Sequence, residues 1–132
     1  MRVVLDASAF LAYLNQEPGA EEVARQMVGG GFISAVNLAE VYSKVAEWGQ
    51  DAHLLEEALV RQGVLGGVVE VVPFRSEDAL AAAALRPLTK VQELSLGDRV
   101  CLALAHRLKL PVLTTDAAWQ QIAVGVEIQV VR

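Results

Sequence analysis

The chain has 132 residues, 54% of them hydrophobic and only 5% aromatic, with a single cysteine and a formal net charge of -5. That length suits one domain, residues 1–132, with a sizeable core of Val, Leu and Ala, as in helices packed on a sheet. No apolar run reaches the ~18 residues of a membrane span, one cysteine excludes an internal disulfide, and the acidic balance argues against an open basic nucleic-acid surface. Arg2 is the one early basic residue and Asp6 interrupts the apolar stretch, so the N-terminus is a poor signal peptide and a cytoplasmic location is expected.

In chain order, Arg2-Val3-Val4-Leu5 reads as a buried strand that ends at Asp6. Ser8–Asn15 has helical spacing, and Glu17-Pro18-Gly19 is a turn in which Pro18 is placed to start a second helix, Ala20–Val28. After Gly29-Gly30-Gly31 comes a short strand, Phe32-Ile33-Ser34. Ser34 is placed to cap a helix from Ala35 to Trp48, closed by Gly49. Asp51 is expected to cap Ala52–Gln62. Val68–Val72 is the clearest strand by β-branched content, and Pro73 ends it. Ser76–Leu85 is an Ala-rich helix, Arg86–Leu94 a connection, and Ser95 or Gly97 opens a helix that runs to Leu108. A strand Val112–Thr115 ends at Asp116. A short helix Ala117–Ile122 and a last strand Val126–Val131 finish the chain. Strands alternating with helices predict a three-layer α/β/α sandwich with a central, mainly parallel sheet, and the Ala35–Trp48 and Ala52–Gln62 pair adds a helical hairpin at one edge.

Four acids stand out in this order. Asp6 and Asp116 each end an apolar strand and begin a helix, and in open α/β sheets that edge is where ligands bind. Glu40 lies inside an otherwise apolar helix after a strand, and Asp98 lies in the first turn of a helix. Each has a local reading: a helix cap for Asp6, Asp98 and Asp116, and an i,i+4 pair with Lys44 for Glu40. Together they read differently, because converging like charges are costly unless a hard divalent cation offsets them.

Val3-Val4-Leu5-Asp6-Ala7-Ser8-Ala9, Ser34-Ala35-Val36-Asn37-Leu38-Ala39-Glu40-Val41, Leu96-Gly97-Asp98-Arg99-Val100-Cys101-Leu102-Ala103 and Val112-Leu113-Thr114-Thr115-Asp116 resemble, in order, the four blocks of a PIN-domain ribonuclease, and most nearly those of the VapC-type toxins of toxin–antitoxin pairs. The resemblance covers nearly the whole chain. It implies a Mg²⁺- or Mn²⁺-dependent endonuclease of structured RNA, often a homodimer, inhibited by a small antitoxin, with Asp6, Glu40, Asp98 and Asp116 as its acidic residues. Ala117-Ala118 depart from it, standing where many members carry charged or polar residues.

The chemistry of phosphodiester hydrolysis agrees with this reading. It needs an activated water, a neutralised phosphate and a stabilised leaving oxygen, all of which divalent ions supply. Asp6 and Asp98 are expected as principal metal ligands, Glu40 as a ligand or as the group that orients the attacking water, and Asp116 at a second or water-mediated position. Ser8 and Thr115 flank the site, where local bonds to backbone are their ordinary role. A receiver domain would carry a Lys after the Val112–Thr115 strand, and a haloacid-dehalogenase phosphatase would carry a second Asp at position 8; neither is present. A PIN fold without catalysis, used only to bind protein, is the alternative. The charge objection weakens on counting: without the four site acids, twelve acidic residues remain against eleven Lys and Arg. Lys44, Arg86, Lys90 and Arg99 are the bases nearest the acidic blocks. Trp48, Trp119, His53 and His106 read as packing or surface residues, and Cys101 as core.

Overall fold

The computed structural model describes residues Met1–Arg132. The β-branched runs form five short strands: β1 Val3–Leu5, β2 Gly31–Ser34, β3 Val69–Val72, β4 Val112–Thr114 and β5 Ile128–Val130. All neighbouring pairs are parallel, in the order β3-β2-β1-β4-β5. Between them run α1 Ala7–Asn15, α2 Ala20–Met27, α3 Ala35–Glu47, α4 Ala52–Arg61, α5 Ser76–Ala84 and α6 Leu96–Leu108, with 3-10 turns at Pro87–Thr89 and Ala117–Gln121.

Strand alternation divides the core into two. Val3, Leu5, Ile33 and Leu113 point to one face and pack with Phe10, Val23, Val41 and Leu59 from α1 to α4. Val4 and Val112 point to the other face and pack with Cys101, Leu102 and Ala105 of α6 and with Trp119. Both faces of the sheet are covered, which is why β1 reads as an unbroken apolar run. α5 packs on α6, burying Ala82. The α3–α4 hairpin packs at the β3 side, with Leu59, Val64 and Leu65 joining the first core.

The strand order puts β1 beside both β2 and β4, although β4 is reached only after the chain has built β2 and β3 on the other side. The winding therefore reverses between β1 and β4. The crevice beyond the carboxyl ends of those two strands is where α/β sheets place their ligands.

The expected elements all form, with small local differences. α2 begins at Ala20 behind Gly19, whose φ of 97° closes the turn, so Pro18 lies in the turn rather than at the helix start. A Cβ at residue 19 would run into the Val131 carbonyl, 3.0 Å from its carbon, so both space and backbone demand glycine. The segment after Asp116 is a 3-10 turn, Ala117–Gln121, rather than an α-helix. The last strand is shorter than its apolar run, covering Ile128–Val130. No helix is long and apolar enough to cross a membrane.

Candidate active site

Asp6 follows β1 and caps α1. Its Oδ1 accepts from the Ala9 amide at 2.8 Å and from Ser8 Oγ at 2.7 Å, and its Oδ2 accepts from Thr114 Oγ1 at 2.5 Å. β1 pairs with β4 through Val4 and Val112, then Leu5 and Leu113, so one further step along the register brings Asp6 opposite Thr114. The two hydroxyls are themselves fixed. Ser8 Oγ accepts from the Thr115 amide at 3.0 Å and Thr114 Oγ1 from the Asp116 amide at 3.1 Å, so each hydroxyl is left to donate to Asp6. Asp6 is only 5% exposed. Burial pushes its carboxyl up to about 6; the bonds from Thr114, Ala9 and Ser8 pull it down, and the nearby Asp98 charge adds a smaller upward push. Desolvation, more than repulsion between acids, thus sets the direction.

Glu40 and Asp98 come from α3 and α6, whose N-terminal ends meet at the same edge of the sheet. Ser34 ends β2 and caps α3 by accepting from the Val36 amide at 3.1 Å. Glu40 follows on α3, and its Oε1 accepts from Asn37 Nδ2 at 2.8 Å. Lys44 pairs with Glu47 at 3.7 Å instead of with Glu40. Ser95 and Asp98 form a capping box on α6: Ser95 Oγ accepts from the Asp98 amide at 3.1 Å, and Asp98 Oδ2 accepts from the Ser95 amide at 3.0 Å. Asp116 is exposed and caps the 3-10 turn, with Oδ1 accepting from the Ala118 amide at 3.0 Å.

All four acids line one cleft of about 640 Å³, walled by Ala7, Leu11, Val36 and Trp119 and by Ser43, Lys44 and Glu47 of α3. Cys101 lies beneath them in the core. Burial pushes its thiol well up, and the carboxylates of Asp6, Asp98 and Glu40 push it the same way. Asp6 and Asp116 are helix caps, Asp98 closes the capping box of α6, Glu40 does not take its expected pair with Lys44, and all four acids reach the cleft. Asp98 Oδ1, Asp116 Oδ2 and Glu40 Oε2 take no hydrogen bond and remain as free oxygen donors.

This donor set is made of hard oxygens, which suits Mg²⁺ or Mn²⁺ and excludes a thiolate or imidazole site. No three acids stand close enough as they are to hold one ion among themselves. Mg²⁺ does not need that, since it keeps several waters and is held by one or two carboxylates. The residues present therefore fit a hydrated hard cation rather than a dehydrated protein cage.

Of the other residues considered from sequence, Lys44 lines the cleft. Arg99 turns away and donates from Nη1 to the Ala82 carbonyl of α5 at 3.0 Å. Arg86, Lys90, His53, His106 and Trp48 are exposed outside the cleft, whereas Trp119 is buried against it. Three further residues shape the site without a role in the sequence pattern of acids: Thr114, Asn37 and Gly97. Thr114, not Thr115, supplies the hydroxyl to Asp6, and strand parity carries the signal, because Val4 and Asp6 share a face, as do Val112 and Thr114. Asn37 was legible as the one polar residue three before Glu40 in an apolar turn.

A parallel α/β sandwich with an acidic cleft at its topological switch point defines a class of ligand-binding α/β proteins. The sequence pattern of the PIN domain matches residues 3–125, and the chain belongs to that family. No curated protein sequence matches the chain. Among solved structures it is similar to FitAcB from Neisseria gonorrhoeae, at 25% identity over 97% of this chain and 96% of that one, with a TM-score of 0.68. It is also similar to VapBC2 from Rickettsia felis bound to a promoter DNA fragment, at 13% identity over 98% of both chains and a TM-score of 0.72. A third is VapC20 from Mycobacterium tuberculosis, described as a sarcin-ricin loop cleaving toxin, at 14% identity over 95% of this chain and 98% of that one, with a TM-score of 0.68.

Proposed function

We propose that the protein is a Mg²⁺- or Mn²⁺-dependent endoribonuclease and the toxin of a toxin–antitoxin pair, acting on structured RNA in the cytoplasm. The observation that carries this reading is the meeting of Asp6, Glu40, Asp98 and Asp116 around one cleft at the sheet's switch point. A bound divalent cation supplies charge neutralisation on the phosphate, an activated water and a stabilised leaving oxygen. Asp6 and Asp98 are the residues to hold it, with Ser8 and Thr114 fixing the orientation of Asp6. Glu40 joins them or orients the attacking water, and Asp116 takes a second or water-mediated position. Lys44 is the base on the cleft wall and meets a phosphate oxygen of the substrate.

The toxin–antitoxin complexes among similar structures support a small antitoxin as partner. Trp48, Leu54 and Val60 of the α3–α4 hairpin are 46%, 62% and 56% exposed, which supports a surface covered by the antitoxin or by a second copy in a homodimer.

The test is cleavage of a structured RNA by purified protein in Mg²⁺, in Mn²⁺ and in chelator. Cleavage should stop in chelator. In Asp6→Asn and Asp98→Asn it should fall by more than ~100-fold, beyond the ~10–100-fold typical of losing an outer-shell partner. Undiminished cleavage by Asp98→Asn would remove Asp98 from the site. A folded wild type inert in both metals would leave the fold as a protein-binding module.

A further inference from the structure

Asn37 is 1% exposed, and its side chain looks costly. The amide nitrogen donates to Glu40 Oε1 at 2.8 Å and to the Gly97 carbonyl at 2.9 Å. Both partners only accept, so the nitrogen must face them, and Oδ1 is left buried without a partner. An orphan of that kind carries the full desolvation cost of a buried polar atom. What the side chain gives in return is its pair of donors. One holds the Glu40 carboxylate; the other holds the residue before Asp98, tying the two acid-bearing turns together.

Gly97 completes the seat from the other side. It is buried in the first turn of α6, and a Cβ there would lie 2.6 Å from Glu40 Cδ and 2.7 Å from its Oε1. The Glu40 carboxylate occupies the space a side chain at 97 would fill. Ala is the better helix former, so glycine here is explained by that space rather than by the helix.

We propose that Asn37 and Gly97 are positioning residues that seat the Glu40 carboxylate against the first turn of α6, at a fixed place beside Asp98 in the cleft. Glu40 is otherwise exposed on a flexible stem, and without the amide and the gap it has no reason to keep one rotamer. This inference rests on the metal-site reading above, in which an outer-shell partner is worth ~10–100-fold in metal affinity.

The experiment is a Mn²⁺ titration followed by the electron paramagnetic resonance signal of the free ion, with thermal melts in chelator. It compares wild type, Asn37→Leu, Gly97→Ala and Glu40→Gln, and each of the first two variants combined with Glu40→Gln. Asn37→Leu and Gly97→Ala should each weaken Mn²⁺ binding by ~10-fold or more. Gly97→Ala should melt in chelator at or above the wild-type temperature, because only the mobile end of Glu40 must move. The double variants should bind no more weakly than Glu40→Gln alone, since both residues act through that carboxylate. Unchanged affinity in Gly97→Ala, or losses that multiply in the double variants, would overturn the inference. Should Asn37→Leu not fold, the Gly97→Ala pair of measurements decides alone. A wild type without saturable Mn²⁺ binding would overturn the metal-site reading and this inference together; wild-type binding with unaltered variants would overturn this one only.

Discussion

Asp6 is a helix cap, the far end of a strand and a buried carboxylate at once, and burial dominates its chemistry. Its carboxyl stands at about 6 instead of 3.8. Between those values the folded protein holds a proton that the unfolded chain releases. Asp6 therefore contributes most to stability below the unfolded value, and that contribution is lost as pH rises through about 6. Two units correspond to about 3 kcal/mol. In chelator, Asp6→Asn should gain on wild type by up to that amount between pH 4 and pH 7, read from urea midpoints. A difference that does not change with pH would mean the carboxyl is not displaced. Thr114 offers the opposite test. It is fully buried, and its hydroxyl serves Asp6 and the Asp116 amide together. Thr114→Val keeps the shape, leaves the buried Asp6 Oδ2 and the Asp116 amide without this partner, and should cost about 1–3 kcal/mol in urea unfolding. It should also move the Asp6 titration further upward, observable by carboxyl carbon NMR.

Among the elements, helix termini position three of the four acids, and this is what the sequence could convey well. Asp6 and Asp116 each follow an apolar strand and cap by local geometry, and Asp98 closes a capping box with Ser95 three residues before it, so all three were legible as helix-terminus residues without any tertiary information. Ser95→Ala removes the hydroxyl that accepts from the Asp98 amide and should cost about 1 kcal/mol of stability, while the residue 95 amide that holds the Asp98 carboxylate stays in place. Its melting temperature should therefore fall while its Mn²⁺ affinity holds, the reverse of Gly97→Ala. Other features depend on contacts that no local pattern encodes. Pro18 looked like a helix start, but the close approach of Gly19 to the Val131 carbonyl sets the turn. Ala117–Gln121 had the composition of an α-helix, yet it must cap on Asp116 and bury Trp119 within five residues, and the tighter 3-10 winding does so. Strand parity puts Thr114 rather than Thr115 on the face of Val112, but only the β1–β4 pairing shows that this face meets Asp6. Gly97 read as one possible helix opener, because its neighbour Glu40 lies far away along the chain.

Over the whole molecule, the net charge of -5 sits poorly with the proposed RNA substrate, and the cleft accounts for much of it. Setting aside Asp6, Glu40, Asp98 and Asp116 leaves a balance near neutrality, so under the proposed function long-range steering of RNA should be weak and its binding should require the divalent ion. At neutral pH the buried Asp6 makes the metal-free fold less stable than it could be. Two consequences follow with opposite signs. At neutral pH in chelator, Asp6→Asn should melt no lower than wild type, unlike most substitutions at a buried position. With metal the order should reverse. An ion that binds only the folded state stabilises it by mass action, about 2.7 kcal/mol at a hundredfold excess over Kd. Mn²⁺ should raise the wild-type melting temperature steadily with concentration, and Asp6→Asn should lose most of that rise, so the two curves cross during the titration. Parallel curves, with equal shifts in both proteins, would show that Asp6 holds no ion and would remove the centre of the proposed site.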